Sequence, residues 1–427
     1  MSSNLRPAAA VSQKSATNRS ALAVVTLIFF MWGFLTSLND VLIPHLKAVF
    51  ALNYTEIMLV QFTFFGAYFV MSLPSGKVVS LAGYKRSIVI GLLVAGAGAT
   101  LFYPAAALPS YGLFLGAFFI LASGITLLQV AANPYVSLLG PERTASSRLN
   151  LAQALNSLGT TLAPKFGGML ILSGAVLGAT ELAQLPAAQQ VAYRATQAQS
   201  VQGPYIGLAI VLLALALVVF LFRLPAPGVE EGAVGQPRRK FREALRHRHL
   251  LFGVIGIFVY VGAEVSIGSF MINYLALPEI GNLPESRAAN FVALYWGGAM
   301  VGRFIGAAVL QKVDPRKLLG IFAGIAALLV LTTMLTTGFV AVWTIVAIGL
   351  FNSIMFPNIF TLGIEKMGAL TGTASSLLIM AIVGGAIIPV LQGALADNIG
   401  VHHAFVLPLL CYLYIVFYGF KGAQIRV

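Results

Sequence analysis

Charge is scarce in this sequence and cysteine nearly absent. Asp and Glu together number 13 and Lys and Arg 26 among 427 residues, 9% in all, where an average soluble domain carries about 25%. That deficit excludes a chain whose surface lies mostly in water. The single cysteine, Cys411, excludes an internal disulfide and carries no redox argument. A Walker loop is missing, and His402 and His403 stand side by side without a third or fourth ligand. The chain is therefore read as not an enzyme, with no cofactor and no ATP-driven step. The first twenty residues are polar, rich in Ser, Ala, Gln and Asn, and hold no short apolar core with a cleavage site. The first apolar run is expected to be a retained span and not a signal peptide.

What the sequence has in quantity is apolar length. Hydrophobic residues make up 59% of it, with a mean hydropathy of +0.90, and runs of about 20 residues, enough to cross a bilayer core, recur throughout. Only helices and closed barrels can span lipid, because every backbone polar group must be satisfied internally. Stretches such as "AIVLLALALVVFLF" (Ala209 to Phe222) lack the alternation of a barrel strand. The expectation is an all-α membrane protein of twelve helices, near 21–50, 56–82, 86–106, 111–139, 146–174, 203–223, 250–277, 287–310, 317–337, 340–366, 371–396 and 401–420. It divides into a tail (1–20), a six-helix bundle (21–223), a linker (224–249), a second six-helix bundle (250–420) and a short tail (421–427).

A net charge of +13 and the stretch "PRRKFREALRHRH" (Pro237 to His249) invite a nucleic-acid reading. Topology explains them better. With both termini cytoplasmic, 22 of the 26 Lys and Arg fall on the cytoplasmic side, leaving Lys47, Arg194 and Arg287 opposite and Lys165 inside a span, which is the positive-inside asymmetry. No nucleic-acid partner is expected. The basic stretch follows "LPAPGVEEGAVGQP" and reads as a cytoplasmic linker, with a candidate amphipathic helix on the membrane surface.

Two halves of six spans carry a weak internal repeat. "LAGYKRSI" closes span two and "KVDPRKLL" closes span eight, while "QVAANPYVSLLG" in span four has a partner in "NSIMFPNIFTLG" in span ten. Pro134 and Pro357 interrupt helices there, each beside an asparagine. Paired helix breaks point to a transporter's central site, where freed backbone groups and amides face a cavity; the alternative is a packing kink.

"FLTSLNDVLIPHLK", "AANPYVSLLGPE", "RLNLAQALNSLG", "YWGGAMVGRFIG" and "GLFNSIMFPNIFTLGI" resemble the fucose, glucose and galactose porters of the major facilitator superfamily, over about residues 25 to 420 and closest to the glucose/galactose branch. The resemblance implies a bacterial inner-membrane sugar symporter, working as a monomer among lipids and rocking about a midplane site. It also implies that Asp40 belongs to the coupling apparatus, with Ser37 and Asn39 beside it. Gln129 stands where the fucose porter has a titrating glutamate, so the coupling ion is left open between H+ and Na+.

The residues support this on their own terms. A carboxylate at the depth of Asp40 is costly unless neutralised, paired or wet, which makes it a cation-coupling candidate. Gln129 offers hydroxyls both a donor and an acceptor without titrating. Asn150, Gln153, Asn156 and Ser157 recur at spacings of three and four on one helical face; the resemblance places Gln153 and Asn156 at sugar contacts, and helix-to-helix bonding is the other reading. Glu264 is the second coupling candidate, or else a partner for a neighbouring helix. Asn133, Asn352, Asn358 and Asn273 complete the expected sugar-binding set, Asn273 on the outer side. Lys165 sits about 18 Å along the helix from Gln153; it pairs with an acid, snorkels, or replaces the coupling cation and makes a uniporter. Asp314 with Arg303 or Arg316 is expected to latch the inward gate, against simple positive-inside anchoring. A sugar uniporter, a non-transporting sugar sensor and a carrier for another polar solute such as an amino sugar remain as alternatives. The chain's end seven residues after span twelve favours transport over a sensor's output segment.

Overall fold

The computed structural model describes residues 17–50, 54–108, 110–170, 184–225 and 237–425, and the side chains of Asn39, Asp40 and Lys165 lie outside the described part. Among the described residues every regular element is helical.

Span one is Arg19–Phe50. Spans two and three form one helical path, Tyr54–Ala107, broken at Gly83, whose φ of 73° and ψ of 169° lie where only glycine is unstrained. Span four, Tyr111–Leu138, starts at Ser110, whose hydroxyl accepts from the Leu113 amide. Span five is Ala145–Leu170, span six Gln202–Leu221, span seven Arg248–Ala276, span eight Glu285–Val309 and span nine Pro315–Leu335. Asp314 caps span nine, accepting from the amides of Arg316 and Lys317, with Pro315 at the first helical position.

The last three spans are interrupted. Span ten is Gly338–Asn352 followed by Met355–Ile364; span eleven passes from Thr371–Met380 through the tight turn Ala381–Val383 to Gly384–Ile399. Span twelve joins Val401–Ala404, Val406–Phe417 and a wide turn Tyr418–Gly422, so it runs two residues beyond its expected end.

Ten of these helical stretches are long and apolar enough to cross a membrane. One of them, Phe62–Ala107, holds two spans across Gly83, and span five falls outside the ten because its amides and hydroxyls dilute its hydropathy. Twelve spans follow. Among the described residues two shorter helices accompany them. Ala187–Gln199, between spans five and six, was not foreseen because it is polar, yet its alanines and glutamines are strong helix formers. Pro237–Ala244 lies in the linker, with Phe241 against the core and Ala244 buried.

Span four is the most enclosed, with every residue from Leu121 to Ser137 buried. Span six presents Ile210, Leu213, Leu217, Phe220 and Leu221 outward, an apolar surface suited to lipid. Span five packs on span eight, and span two on span eleven, so the halves meet along two seams related by the internal repeat. The turns around Arg143, Lys312 and Lys366 line one cavity, and span two runs toward Lys85 beside them, with Val79 against Gly372; this end is hereafter the basic face.

Candidate functional site

A proline has no N–H, so it leaves the carbonyl four residues earlier without its helical donor. For Pro134 that carbonyl is Val130, and for Pro357 it is Ser353. Both are claimed by protein donors. Ser375 Oγ, in span eleven, donates across the seam to the Val130 carbonyl at 2.9 Å, and Arg303 Nε donates to the Ser353 carbonyl at 3.2 Å. Of the two readings of these breaks, a cavity-facing site or a packing kink, the two carbonyls themselves follow the second: both are engaged by neighbouring helices.

Near the basic face the halves are sealed by short polar contacts. Ser146 and Thr361 hydroxyls lie 2.6 Å apart, Ser147 donates to the Ala307 carbonyl at 2.5 Å, and Asn150 Nδ2 donates to Asn358 Oδ1 at 3.0 Å. On the other seam Gly76 lies so close to the Ser376 hydroxyl that a side chain there would collide with it. These contacts sit within about two turns of the basic ends of their helices. Outside the seal, a cavity of about 800 Å³ is lined by Ser137, Glu142, Arg143, Lys312, Asp314 and Glu365.

Deeper in, spans seven, eight, ten and twelve share a buried network. Tyr260 Oη lies 2.7 Å from Glu264 Oε1 and 3.0 Å from the Asn352 carbonyl, so its one proton serves one of them at a time. Asn352 Nδ2 donates to Tyr295 Oη at 2.7 Å, Tyr295 donates to the Glu264 carbonyl at 3.2 Å, and Tyr412 donates to Asn352 Oδ1 at 2.8 Å. Arg303 pairs with Glu264 Oε1 at 3.7 Å. A terminal nitrogen of Arg303 also donates to Ser157 of span five, in the other half. The latch expected of Asp314 does not form among the described residues: its carboxylate caps span nine, Arg303 is committed to Glu264, and Arg316 pairs with Glu365.

In the first half Gln129 Nε2 donates to Tyr68 Oη at 2.7 Å and Asn156 Nδ2 to the Phe29 carbonyl at 2.9 Å. Gly33 allows that approach, since a side chain there would strike the Asn156 carbonyl. The expected site residues thus separate by exposure. Ser37, Gln129, Gln153, Asn156 and Glu264 retain 6 to 9%, whereas Asn133, Asn352 and Asn358 are at 0%. Both Asn133 amide atoms lack a partner. Asn273 is exposed. Asn39, Asp40 and Lys165 lie in helices whose backbone is described, but their side chains fall outside the described part.

Four residues that the sequence did not single out help build the site: Tyr68, Tyr260, Tyr295 and Tyr412. Of these, Tyr260 and Glu264 stand at i, i+4, a spacing that places two side chains together. Arg148, read only as a cytoplasmic charge, spends its guanidinium on the end of span four. It donates to the carbonyls of Val136, Ser137, Gly140 and Pro141 and to the Thr144 hydroxyl. It thereby satisfies carbonyls that a helix C-terminus leaves without partners.

The family model described as Major Facilitator Superfamily matches residues 25–388. The chain belongs to the Major Facilitator Superfamily. Within the superfamily it is 54% identical over 404 residues to the glucose/galactose transporter of Brucella abortus biovar 1 (strain 9-941), covering 95% of this chain and 94% of that one. To the L-fucose-proton symporter of Escherichia coli (strain K12) it is 34% identical over 418 residues, covering 96% and 95%. Its fold matches the crystal structure of a superfamily transporter, FucP, in the outward conformation, with a TM-score of 0.88 at 34% identity over 95% of this chain and 100% of that one. The chain is a multi-pass membrane protein of the superfamily's helical fold.

Proposed function

We propose that this protein is a secondary active transporter of a glucose- or galactose-type hexose, which carries sugar together with a proton by alternating access. One observation carries the reading: Ser37, Gln129, Gln153 and Asn156, all able to bond sugar hydroxyls, lie in the first bundle deeper along their helices than the contacts that join the two bundles at the basic face. A chain 54% identical to a protein named glucose/galactose transporter gives the substrate class. The proton is preferred to sodium because another relative is named a proton symporter. By the positive-inside asymmetry the basic face and both termini lie in the cytoplasm, and the membrane is a bacterial inner membrane.

In this reading Asp40 is the principal coupling carboxylate, in a helix whose sequence also carries Ser37 and Asn39. Glu264 is the second, held by Tyr260 and Arg303. Sugar bonds to Gln129, Gln153 and Asn156, with Asn273 toward the outer entrance. Asn352 and Asn358, both bonded to protein partners, brace neighbouring helices in this conformation. Equilibrium binding of labelled glucose and galactose to the purified protein tests the reading. Saturable binding that weakens in Gln129→Ala and Gln153→Ala is expected; no saturable hexose binding to the wild type would contradict it.

A further inference from the structure

Arg303 is the described side chain that touches Glu264, a proline-freed carbonyl and the opposite bundle at once. Its Nε is fixed by the Ser353 carbonyl, an acceptor available because Pro357 cannot donate to it. That anchor leaves the two terminal nitrogens to face in different directions. One reaches Glu264 at 3.7 Å within the second bundle, and the other donates to Ser157 Oγ of the first. Ser157 in turn donates to the Gln153 carbonyl at 3.1 Å and adjoins Asn156.

We infer that Arg303 is a positioning residue that transmits the state of Glu264 to the contact between the bundles, holding the basic-face seal shut while Glu264 carries its charge. The inference rests on the transport reading above. The guanidinium and the carboxylate keep 13% and 12% exposure, so the pair is not fully enclosed and a coupling cation that reaches the carboxylate competes with Arg303 for it. The other groups against this carboxylate are neutral. Tyr260 bonds it directly, and Tyr295 and Tyr412 reach it through the Glu264 backbone and Asn352. Among the described residues the guanidinium is therefore the charge that Glu264 answers to. Loss of that attraction leaves Arg303 held by one carbonyl and one hydroxyl, and the hydroxyl belongs to the bundle that must move away.

A buried ion pair that only neutralises itself predicts something different. Removing one partner strands a charge, and removing both restores the protein. The test uses this difference. In the full-length Cys411→Ser protein, a reporter cysteine is placed at Ala307→Cys, a site 6% exposed whose carbonyl receives Ser147. Its rate of maleimide labelling in detergent reads the opening of the seal, whichever face is cytoplasmic. Ser157→Ala, Glu264→Gln and the double Glu264→Gln/Arg303→Gln are each expected to raise that rate by about fivefold or more, the usual scale of coupling between sites. A wild-type rate in the double variant would overturn the inference in favour of mutual neutralisation. So would a wild-type rate in Ser157→Ala, which alters no charge and decides the matter if the charge variants misfold. Glucose counterflow by the parent protein is measured alongside, and its absence would refute the transport reading without changing the labelling comparison.

Discussion

Asn352 offers the sharpest energetic test of the second bundle. Its amide is fully buried, donates to Tyr295 at 2.7 Å and accepts from Tyr412 at 2.8 Å. Asn352→Ala leaves the Tyr412 proton without an acceptor, whereas Tyr295 keeps its own bond to the Glu264 carbonyl. One orphaned buried donor costs about 1–3 kcal/mol, and interhelical bonds inside membrane proteins average about 0.6 kcal/mol. The expected loss is therefore about 1–3 kcal/mol, or a fall of about 2–12 °C in melting temperature at the roughly 2–4 °C per kcal/mol of a bundle this size. Tyr412→Phe removes the stranded hydroxyl, so Asn352→Ala/Tyr412→Phe should melt higher than the sum of the single losses predicts, by a coupling of at least about 0.5 kcal/mol. Thermal denaturation of the four proteins in detergent measures the cycle. Strict additivity would refute the network as an energetic unit.

Three further outcomes follow from the geometry. Asp40→Asn should retain sugar exchange in counterflow but lose accumulation against a gradient, and intact uphill uptake would remove Asp40 from the coupling step. Ser375→Ala should free the Val130 carbonyl and loosen one seam, raising labelling of Ala307→Cys by about threefold at about 0.6 kcal/mol, while Thr332→Ala, whose hydroxyl bonds its own helix, should leave that labelling unchanged. Gly33→Val forces a side chain into the Asn156 carbonyl, and should cost about 1–3 kcal/mol of melting stability together with sugar affinity.

Much of the architecture is legible from the chain because lipid imposes a simple rule on length and polarity. Even the helix most easily missed by hydropathy, span five, is given away by the spacing of Asn150, Gln153, Asn156 and Ser157. The proline breaks are equally visible. What they are for is not, since the donor to the Val130 carbonyl comes from 245 residues away. Arg303 is legible as a gating candidate, but not its partners: it lies six residues before the end of span eight, about 9 Å inside, and there it meets Glu264 and Ser157 rather than Asp314. Arg148 hides its partners in the same way. The polar helix Ala187–Gln199 escaped because hydropathy, which finds spans, ignores helices that lie outside the lipid.

Uptake of labelled glucose and of labelled galactose into proteoliposomes, with an inward proton gradient and an inward sodium gradient imposed in separate runs, tests the central claim most directly. The account predicts accumulation above equilibrium with the proton gradient and not with sodium alone. Accumulation under sodium only would recast Asp40 and Glu264 as metal-cation ligands, and a protein that leaves glucose and galactose outside under every gradient would contradict the account.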